Sequence, residues 1–402
     1  MPAFPMRIAS VCVFFFGGLV AGPLYGSELK IRADFAGGSV RVEHIDQQKR
    51  RLRISPFPHL NRGFVCWWYF KVEGIRPGEI LTLDVGEGVW ATPDQAVFST
   101  DNKTWSQTSP GKRAGKRIIY QQKVDASEAW FAWGPPYTLS HANAAVKEAS
   151  KRCVQARAFT LCRSKDGHAV PALVVAPMSP EKKPFGIWVN ARQHAWEAGS
   201  SWVCQGFIDW LVSKDPDAVW LRDHATVIVV PIMDVDNVER GAGGKNQKPH
   251  DHNRDWSDNP VWPEVAAAIS RIKKLKDGGS FDLFVDLHNP AANDRSPFFF
   301  VPATELMSVE QRQNLDLFLQ SARKEITGPL KLASFVSKET GANYDRNWRK
   351  ISCNWVVAHT GAVAACLETS WNTKNSTMEN YRTVGEQLGK AMVRYLQTQA
   401  RK

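Results

Sequence analysis

Hydrophobic and polar positions alternate differently in two parts of the chain. Residues 28–148 carry short runs of β-branched and aromatic residues between clusters of Gly, Pro, Asp and Asn. Several short strands at such spacing are typical of a β-sandwich. We therefore predict a small all-β sandwich domain over residues 28–148, with strands near 64–72, 80–85, 96–99, 117–123 and 129–133.

Residues 149–402 have a different texture, because longer apolar runs now alternate with helical stretches. Strands are predicted at 172–176, 185–190, 226–233, 281–287, 298–302 and 362–367, and helices at 200–213, 263–276, 308–326 and 378–396. This alternation indicates an α/β domain with a mostly parallel, buried sheet. Since sites in such sheets gather at the carboxyl ends of strands, the residues that follow these runs are the first candidates for chemistry.

The first 27 residues are predicted to be a secretory signal peptide. Arg7 precedes an apolar run over residues 8–22, and small residues follow at Gly26 and Ser27. Such a run has the length of a signal-peptide core and is short for a membrane span. We expect a periplasmic or secreted protein with no stable membrane span after cleavage, although an uncleaved anchor or a buried N-terminal helix would give the same pattern. The six cysteines after residue 27 are compatible with disulfides in an exported protein and equally with buried free thiols.

Composition narrows the class of protein further. With 402 residues, 43% of them hydrophobic and 23% charged, the chain is neither fibrous nor disordered, and about two domains are expected. The 51 Lys and Arg residues exceed the 40 Asp and Glu residues, so the formal net charge is +11. This excess favours anionic partners, such as acidic or cell-wall peptides. No nucleic-acid motif is present, so we expect no nucleic-acid partner.

Metal-ligand residue types stand after two of the predicted strands. The run at 185–190 leads to His194 and Glu197, an H-x-x-E pair, and the run at 281–287 leads to His288. Two imidazoles and one carboxylate are the protein ligands of many catalytic zinc sites, in which a fourth position stays open for water. We predict one zinc ion per chain, held by these three residues.

Two further groups complete the candidate site. Glu368 follows the apolar run at 362–367, where an unpaired carboxylate is costly unless it has a role such as general base. Asn253 and Arg254 are adjacent and suit the binding of a substrate carboxylate. Asp251, two residues before Asn253, is placed to support the imidazole of a ligand histidine from behind.

Taken together, this set resembles the zinc metallocarboxypeptidases. The resemblance is closest to the cytosolic-carboxypeptidase branch, which removes C-terminal residues such as glutamates and carries a small β-sandwich ahead of its catalytic domain. Residues 66–79 (CWWYFKVEGIRPGE) and 135–140 (PPYTLS) resemble that sandwich, and 231–241 (PIMDVDNVERG) resembles the strand and turn before the Asn-Arg pair. The resemblance covers roughly residues 60 to 380.

The resemblance implies an activity and a role for each residue. A carboxypeptidase-type mixed, mostly parallel sheet is expected, and the enzyme would hydrolyse C-terminal peptide or isopeptide bonds with metal-activated water and Glu368 as general base. Asn253 and Arg254 would clamp the terminal carboxylate of a peptide or protein. The family usually has another arginine before the Asn-Arg pair, for which Arg240 or Lys245 is the candidate, and a mobile tyrosine, for which Tyr344 is the candidate.

Two other functions remain open from the sequence. A zinc amidase or deacylase acting on a cell-wall or other non-peptide amide would use the same ligands. A non-catalytic glycan- or peptide-binding protein would instead use the aromatic residues of the β-domain, although core packing is the simpler explanation for its six tryptophans, which are Trp67, Trp68, Trp90, Trp105, Trp130 and Trp133.

Overall fold

A computed structural model describes residues 28–88, 91–179, 183–289, 295–334 and 337–399. The predicted signal peptide and Trp90 lie outside these ranges. Within the described ranges, no helix combines the length and the apolar character needed to cross a membrane.

The amino-terminal part consists of two five-stranded sheets around one hydrophobic core. Its strands are β1 (Lys30–Arg32), β2 (Arg41–Asp46), β3 (Arg51–Ser55), β4 (Tyr69–Glu73), β5 (Glu79–Gly86), β6 (Val97–Ser99), β7 (Ser106–Gln107), β8 (Lys112–Ala114), β9 (Arg117–Val124) and β10 (Glu128–Ala132). The strand orders are β1-β4-β10-β6-β7 and β2-β3-β5-β9-β8. Both sheets contribute alternate apolar residues to the core, and the predicted all-β sandwich is confirmed.

An eight-stranded mixed sheet forms the centre of the second part. Its strands are β11 (Ala156–Arg163), β12 (Ala169–Val175), β13 (Phe185–Ala191), β14 (Ala225–Val230), β15 (Leu283–His288), β16 (Phe298–Val301), β17 (Ser337–Glu339) and β18 (Val363–Glu368). The order is β11-β12-β14-β13-β15-β18-β16-β17, and the central strands β14, β13, β15 and β18 are parallel. The predicted α/β class with a mixed, mostly parallel sheet is therefore confirmed.

Eight helices of the described chain accompany this sheet. They are α1 (Leu139–Arg152), α2 (Ala198–Leu211), α3 (Pro216–His224), α4 (Val235–Arg240), α5 (Pro263–Asp277), α6 (Val309–Glu325), α7 (Ser352–Thr360) and α8 (Met378–Thr398). Local signals fix several ends: Asp215 caps α3, with Pro216 in its first turn, and Ser308 and Gln311 form a capping box at α6. Because α1 crosses position 148, the exact domain boundary stays a prediction.

Helix α2, whose N-cap is Glu197, is held tightly against α8. A Cβ atom on Gly206 would lie 2.0 Å from the carbonyl oxygen of Arg382, and one on Gly385 would lie 1.9 Å from that of Val203. Glycine is required at both positions because the two helix backbones touch. This close packing fixes the helix start that presents Glu197.

Tryptophans of the sandwich pack against the second part of the chain. The ring centroid of Trp133 lies 5.1 Å from that of Trp196 and 4.5 Å from that of Trp371. Trp67 and Trp68 are also buried, which favours core packing over a glycan-binding face. The six described cysteines are free thiols rather than disulfides.

Candidate metal centre and active site

The candidate site lies where three central strands end. His194 and Glu197 follow β13, His288 is the last residue of β15, and Glu368 is the last residue of β18. In the parallel register of β15 and β18, His288 is paired with Glu368. The sheet therefore brings together residues that are up to 174 positions apart in the sequence (368 − 194), as the strand-end argument predicts.

The three predicted zinc ligands form one buried group. Their ligand atoms all lie within 4.8 Å of one another. The carboxylate of Glu197 stands between the imidazoles, with Oε1 2.8 Å from Nδ1 of His194 and Oε2 2.9 Å from Nδ1 of His288. Nδ1 is thus the atom through which each histidine faces the shared centre.

The charge around this group fits a cation. Four carboxylates are buried here around two imidazoles, and they belong to Glu197, Asp251, Asp286 and Glu368. Burial by itself lowers the pKa of His288, yet Asp286 and Glu197 raise that pKa well above its ordinary value. The surroundings thus stabilise positive charge, and a donor set of two imidazoles and one carboxylate suits Zn²⁺.

A second carboxylate lies behind each ligand histidine. Nε2 of His194 lies 3.5 Å from Oδ1 of Asp251, where the sequence placed a supporting carboxylate. Nε2 of His288 lies 2.9 Å from Oδ2 of Asp286, which the sequence analysis missed. The available signal was the D-x-H spacing at the end of β15, since residues i and i+2 of a strand share a face. Such partners orient the imidazoles and increase their basicity.

Glu368 lies beside the ligand group and lines the same cavity. Burial raises the pKa of its carboxyl to about 8; His288 and Lys245 oppose this rise, while Glu197 and Asp286 add to it. A carboxylate with a pKa near neutrality is well suited to accept and return a proton.

Asn253 and Arg254 are carried by a short 3₁₀ turn over His252–Arg254. Nδ2 of Asn253 lies 3.2 Å from Nε2 of His288. Nε of Arg254 donates to Oδ2 of Asp345 at 2.9 Å, and the guanidinium lies 6.0 Å from the ring centroid of Tyr344. The predicted carboxylate clamp and the predicted tyrosine are therefore brought to one place.

Arg240 is the one predicted substrate-binding residue that the structure places elsewhere. Its side chain is 45% exposed, and its guanidinium donates to Asp166 at 2.8 Å on the surface. Lys245, five residues later, lines the cavity instead. Of the two candidates, Lys245 therefore lies at the site, whereas Arg240, the last residue of α4, is held by its ion pair with Asp166.

A cavity of about 200 Å³ opens beside the ligand group. It is lined by His194, Trp196, Glu197, Lys245, Asn253, Arg254, Phe298, Phe300, Thr340, Tyr344, Ile351, Cys366 and Glu368. The aromatic and aliphatic part of this lining was not predicted, since nothing in the sequence marks which apolar residues of a buried strand face a cavity. Chemically, the cavity offers a cation site, a proton acceptor and cationic groups for an anion.

Fold and site together define a zinc carboxypeptidase, and the chain belongs to that family. The family model described as zinc carboxypeptidase matches residues 143–399, and the model described as cytosolic carboxypeptidase N-terminal domain matches residues 31–133. The resemblance inferred from the motifs is confirmed, and zinc is the cofactor of the family.

Individual relatives share about a quarter of their aligned residues with this chain. An uncharacterized protein of Zymomonas mobilis is 27% identical over 271 residues, which cover 66% of this chain and 68% of that protein. Cytosolic carboxypeptidase 1 of Danio rerio is 25% identical over 316 residues, which cover 65% of this chain and 27% of the relative. This chain thus matches only about a quarter of that longer protein.

A solved structure shows the same fold across almost the whole chain. The metallo-carboxypeptidase from Burkholderia cenocepacia superposes with a TM-score of 0.80 at 21% sequence identity, covering 93% of this chain and 100% of the other. At that identity the likeness concerns the fold alone.

Proposed function

We propose that this chain removes C-terminal residues from peptides or proteins by zinc-dependent hydrolysis. The observation that carries the proposal is that one cavity is lined by His194 and Glu197, which form the buried ligand group with His288, and also by the cationic side chain of Arg254. A cation site alone supports many hydrolyses. A guanidinium in the same small cavity adds recognition of a free carboxylate, and therefore of a chain end.

Proton transfer in this reaction is assigned to Glu368. A bound zinc ion supplies a Lewis acid that polarises a carbonyl and acidifies water. One Oε atom of Glu368 accepts a proton from the attacking water, whose oxygen forms a bond to the carbonyl carbon. When the C–N bond breaks, the same carboxyl returns the proton to the leaving amine nitrogen.

Recognition and charge stabilisation are assigned to the cationic side of the cavity. Arg254 and Asn253 bind the terminal carboxylate, and Asp345 holds the guanidinium of Arg254 through the 2.9 Å hydrogen bond at Nε. The ammonium group of Lys245 stabilises the negative charge that develops on the carbonyl oxygen. Tyr344 is proposed to cover the bound chain end, since its ring lines the cavity and is 43% exposed.

The location of the protein and the charge of its substrates are also proposals. We propose that residues 1–27 direct export, on the strength of their signal-peptide pattern. In that setting, peptides of the periplasm, the cell wall or the surroundings are the available substrates, and the net charge of +11 favours anionic ones.

The test of these roles compares two variants of the zinc-loaded protein. Glu368→Gln should lower kcat by roughly 10²–10⁴-fold with zinc content unchanged, because proton transfer is lost while all three ligands remain. Arg254→Met should lower kcat/KM on peptides with a free C-terminus, because the buried terminal carboxylate loses its charged partner. The expected loss of transition-state stabilisation is about 2–5 kcal/mol. Full activity of Glu368→Gln would rule out Glu368 as the base, and an unchanged kcat/KM of Arg254→Met would rule out the clamp.

A further inference from the structure

We propose that the cavity selects substrates whose C-terminal side chain is neutral and apolar, either aromatic or branched aliphatic. This inference rests on the proposed function and names its substrate class. It differs from the acidic C-terminal residue that the resemblance to the cytosolic branch implies.

One wall of the cavity is formed by two aromatic residues of β16. In the antiparallel register of β16 and β18, Phe298 is paired with Glu368 and Phe300 with Cys366. Since alternate residues of a strand share a face, these four side chains lie on the same side of the sheet, and all four line the cavity. The Phe298 and Phe300 ring centroids are 5.1 Å apart, so the two rings form a continuous apolar surface beside the proposed base.

The remaining wall adds neutral groups. Ile351, at the start of α7, lines the cavity with an aliphatic side chain. The hydroxyl of Thr340 donates to the carbonyl oxygen of Val301 at 2.8 Å, so its donor is already used within the protein. A hydrogen bond with Cys353, together with burial, raises the pKa of the Cys366 thiol well above its ordinary value, which keeps that residue uncharged.

The charges near this wall disfavour an acidic side chain. Arg254 and Lys245 are the cations among the described lining residues, and the proposed function assigns them to the terminal carboxylate and to the carbonyl oxygen. Behind the wall, Oδ2 of Asp286 lies 3.8 Å from Sγ of Cys366. A substrate carboxylate here would lose its hydration and face Glu368 and Asp286 without a cation of its own.

A basic side chain is disfavoured as well. Two buried carboxylates lie near this wall: Glu368, which lines the cavity and is assigned to proton transfer, and Asp286, whose side chain is fully buried. The oxygens of Asp286 already accept hydrogen bonds from Asn190 at 2.6 Å and from Ser352 at 2.7 Å. The carboxylate that a Lys or Arg side chain of the substrate could reach is therefore Glu368, and an ion pair with it would occupy the proposed base.

An acidic preference would require a further cation, and Lys338 is a candidate among the described residues because it contacts the aromatic wall. It belongs to β17, and its Nζ lies 4.1 Å from the ring centroid of Phe298. Phe298 itself is only 1% exposed, and Lys338 is not among the residues that line the cavity. The ammonium group thus contacts the aromatic wall. Replacing Lys338 therefore tests whether this cation contributes to substrate preference.

The experiment uses four peptides that differ only in a C-terminal Phe, Leu, Glu or Lys. For the zinc-loaded protein, kcat/KM should be at least about 100-fold higher for Phe and Leu than for Glu and Lys. In Phe300→Lys, the Glu-to-Phe ratio should rise at least about tenfold, because a cation now faces the side chain. This ratio is measured within one preparation, so a reduced folded fraction does not affect it. Lys338→Met should leave the wild-type ratio unchanged.

A preference of the wild type for Glu, abolished in Lys338→Met, would overturn the inference while leaving the carboxypeptidase intact. Binding to the metal-free protein gives a readout that does not depend on turnover. There, N-acetylphenylalanine should bind at least about tenfold more tightly than N-acetylglutamate. Tighter binding of N-acetylglutamate would overturn the inference. If the expected binding order held but the zinc-loaded protein cleaved no peptide, only the proposed function would fail.

Discussion

At the scale of single residues, the carboxylates behind the two ligand histidines give a direct test of the metal centre. Asp286 accepts from His288 at 2.9 Å, and its replacement by Asn removes the charge while preserving the shape. We expect Asp286→Asn to weaken zinc binding by roughly 10–100-fold, because such partners orient the imidazole and increase its basicity. Competition with a chromogenic chelator measures this affinity.

The surface pair formed by Asp166 and Arg240 offers a matched control for that substitution. Asp166→Asn, which alters an exposed ion pair 2.8 Å long, should leave zinc affinity unchanged. Equal zinc affinities for wild type and Asp286→Asn would show that Asp286 does not support the ligand set.

The two carboxylates behind the ligand histidines, Asp251 and Asp286, also show how much of the site could be predicted from the sequence. Asp251 was predicted because it stands beside the conspicuous Asn253-Arg254 pair. Asp286 was missed because the stretch FDLFVDLH reads as one apolar strand, and a strand pattern does not reveal that an acid within it has a buried partner. The contact of Asp286 with His288 is found only in the folded structure, in which the end of β15 lies between β13 and β18.

Lys245 is the one of the two sequence candidates, Arg240 and Lys245, that lines the cavity. We expect Lys245→Met to lower kcat/KM. The expected loss of transition-state stabilisation is about 2.7–4 kcal/mol, the usual effect of removing one group that stabilises a developing oxyanion. Zinc content should not change, because Lys245 is not a ligand. The matched control is Lys248→Met, which removes an exposed charge from the same loop. Equal losses in both variants would point to a general charge effect of the loop.

At the scale of elements, the sandwich holds the loop that carries Lys245. The backbone of residues 61–64 pairs with that of residues 244–248: Phe64 donates to Lys245 at 2.9 Å, Gly244 donates to Arg62 at 2.8 Å, and Lys248 donates to Asn61 at 2.9 Å. The sandwich is therefore part of the support of the candidate site. The sequence could not predict this pairing, since neither segment is a regular strand.

A pair of glycines tests that support. Gly63 has a φ of +91°, and a Cβ atom there would lie 2.5 Å from the carbonyl oxygen of Lys245. Gly115 has a φ of +59°, with no atom within 4 Å of an added Cβ. Both alanine variants strain the backbone, but only Gly63→Ala should displace Lys245. We therefore expect kcat/KM of the Gly63→Ala variant to fall about tenfold or more. The measurement is kcat/KM per bound zinc for both variants, and equal values would contradict this role of the sandwich.

A buried ionic cluster connects helices α4 and α5 beneath the candidate site. His252 lies between Asp234, the N-cap of α4, and Glu264, in the first turn of α5. Burial opposes protonation, but the two carboxylates raise the pKa of His252 from 6.5 to about 9. The cluster thus anchors the turn that carries Asn253 and Arg254.

This raised pKa predicts a pH dependence of stability. The folded state keeps the proton of His252 at pH values where the unfolded chain has lost it, so the contribution is complete below pH 6.5 and disappears as the pH rises through 9. We expect the free energy of unfolding to fall by roughly 2–3 kcal/mol over this window. Denaturant titrations between pH 6 and 9.5 measure it, with His252→Gln as the comparison. The same slope in both proteins would contradict the assignment.

At the scale of the whole molecule, the fold class and the order of the motifs were accessible from the sequence. Apolar strands with polar residues at their ends are sufficient to place His194, His288 and Glu368 at one edge of a sheet. The cavity could not be predicted, because much of its lining comes from β16, the residue after β17, a 3₁₀ turn and the residue before α7. Those elements meet only through tertiary packing, which local pattern does not encode.

The proposed activity of this zinc enzyme is the removal of residues from free peptide C-termini. The most direct measurement is mass spectrometry of a peptide library and of its C-terminally amidated counterpart after incubation with the protein containing one zinc ion per chain. We expect stepwise loss of C-terminal residues from the free-acid library alone, and no loss after zinc is removed by a chelator. Equal cleavage of the amidated library, or cleavage at internal bonds, would contradict this proposal.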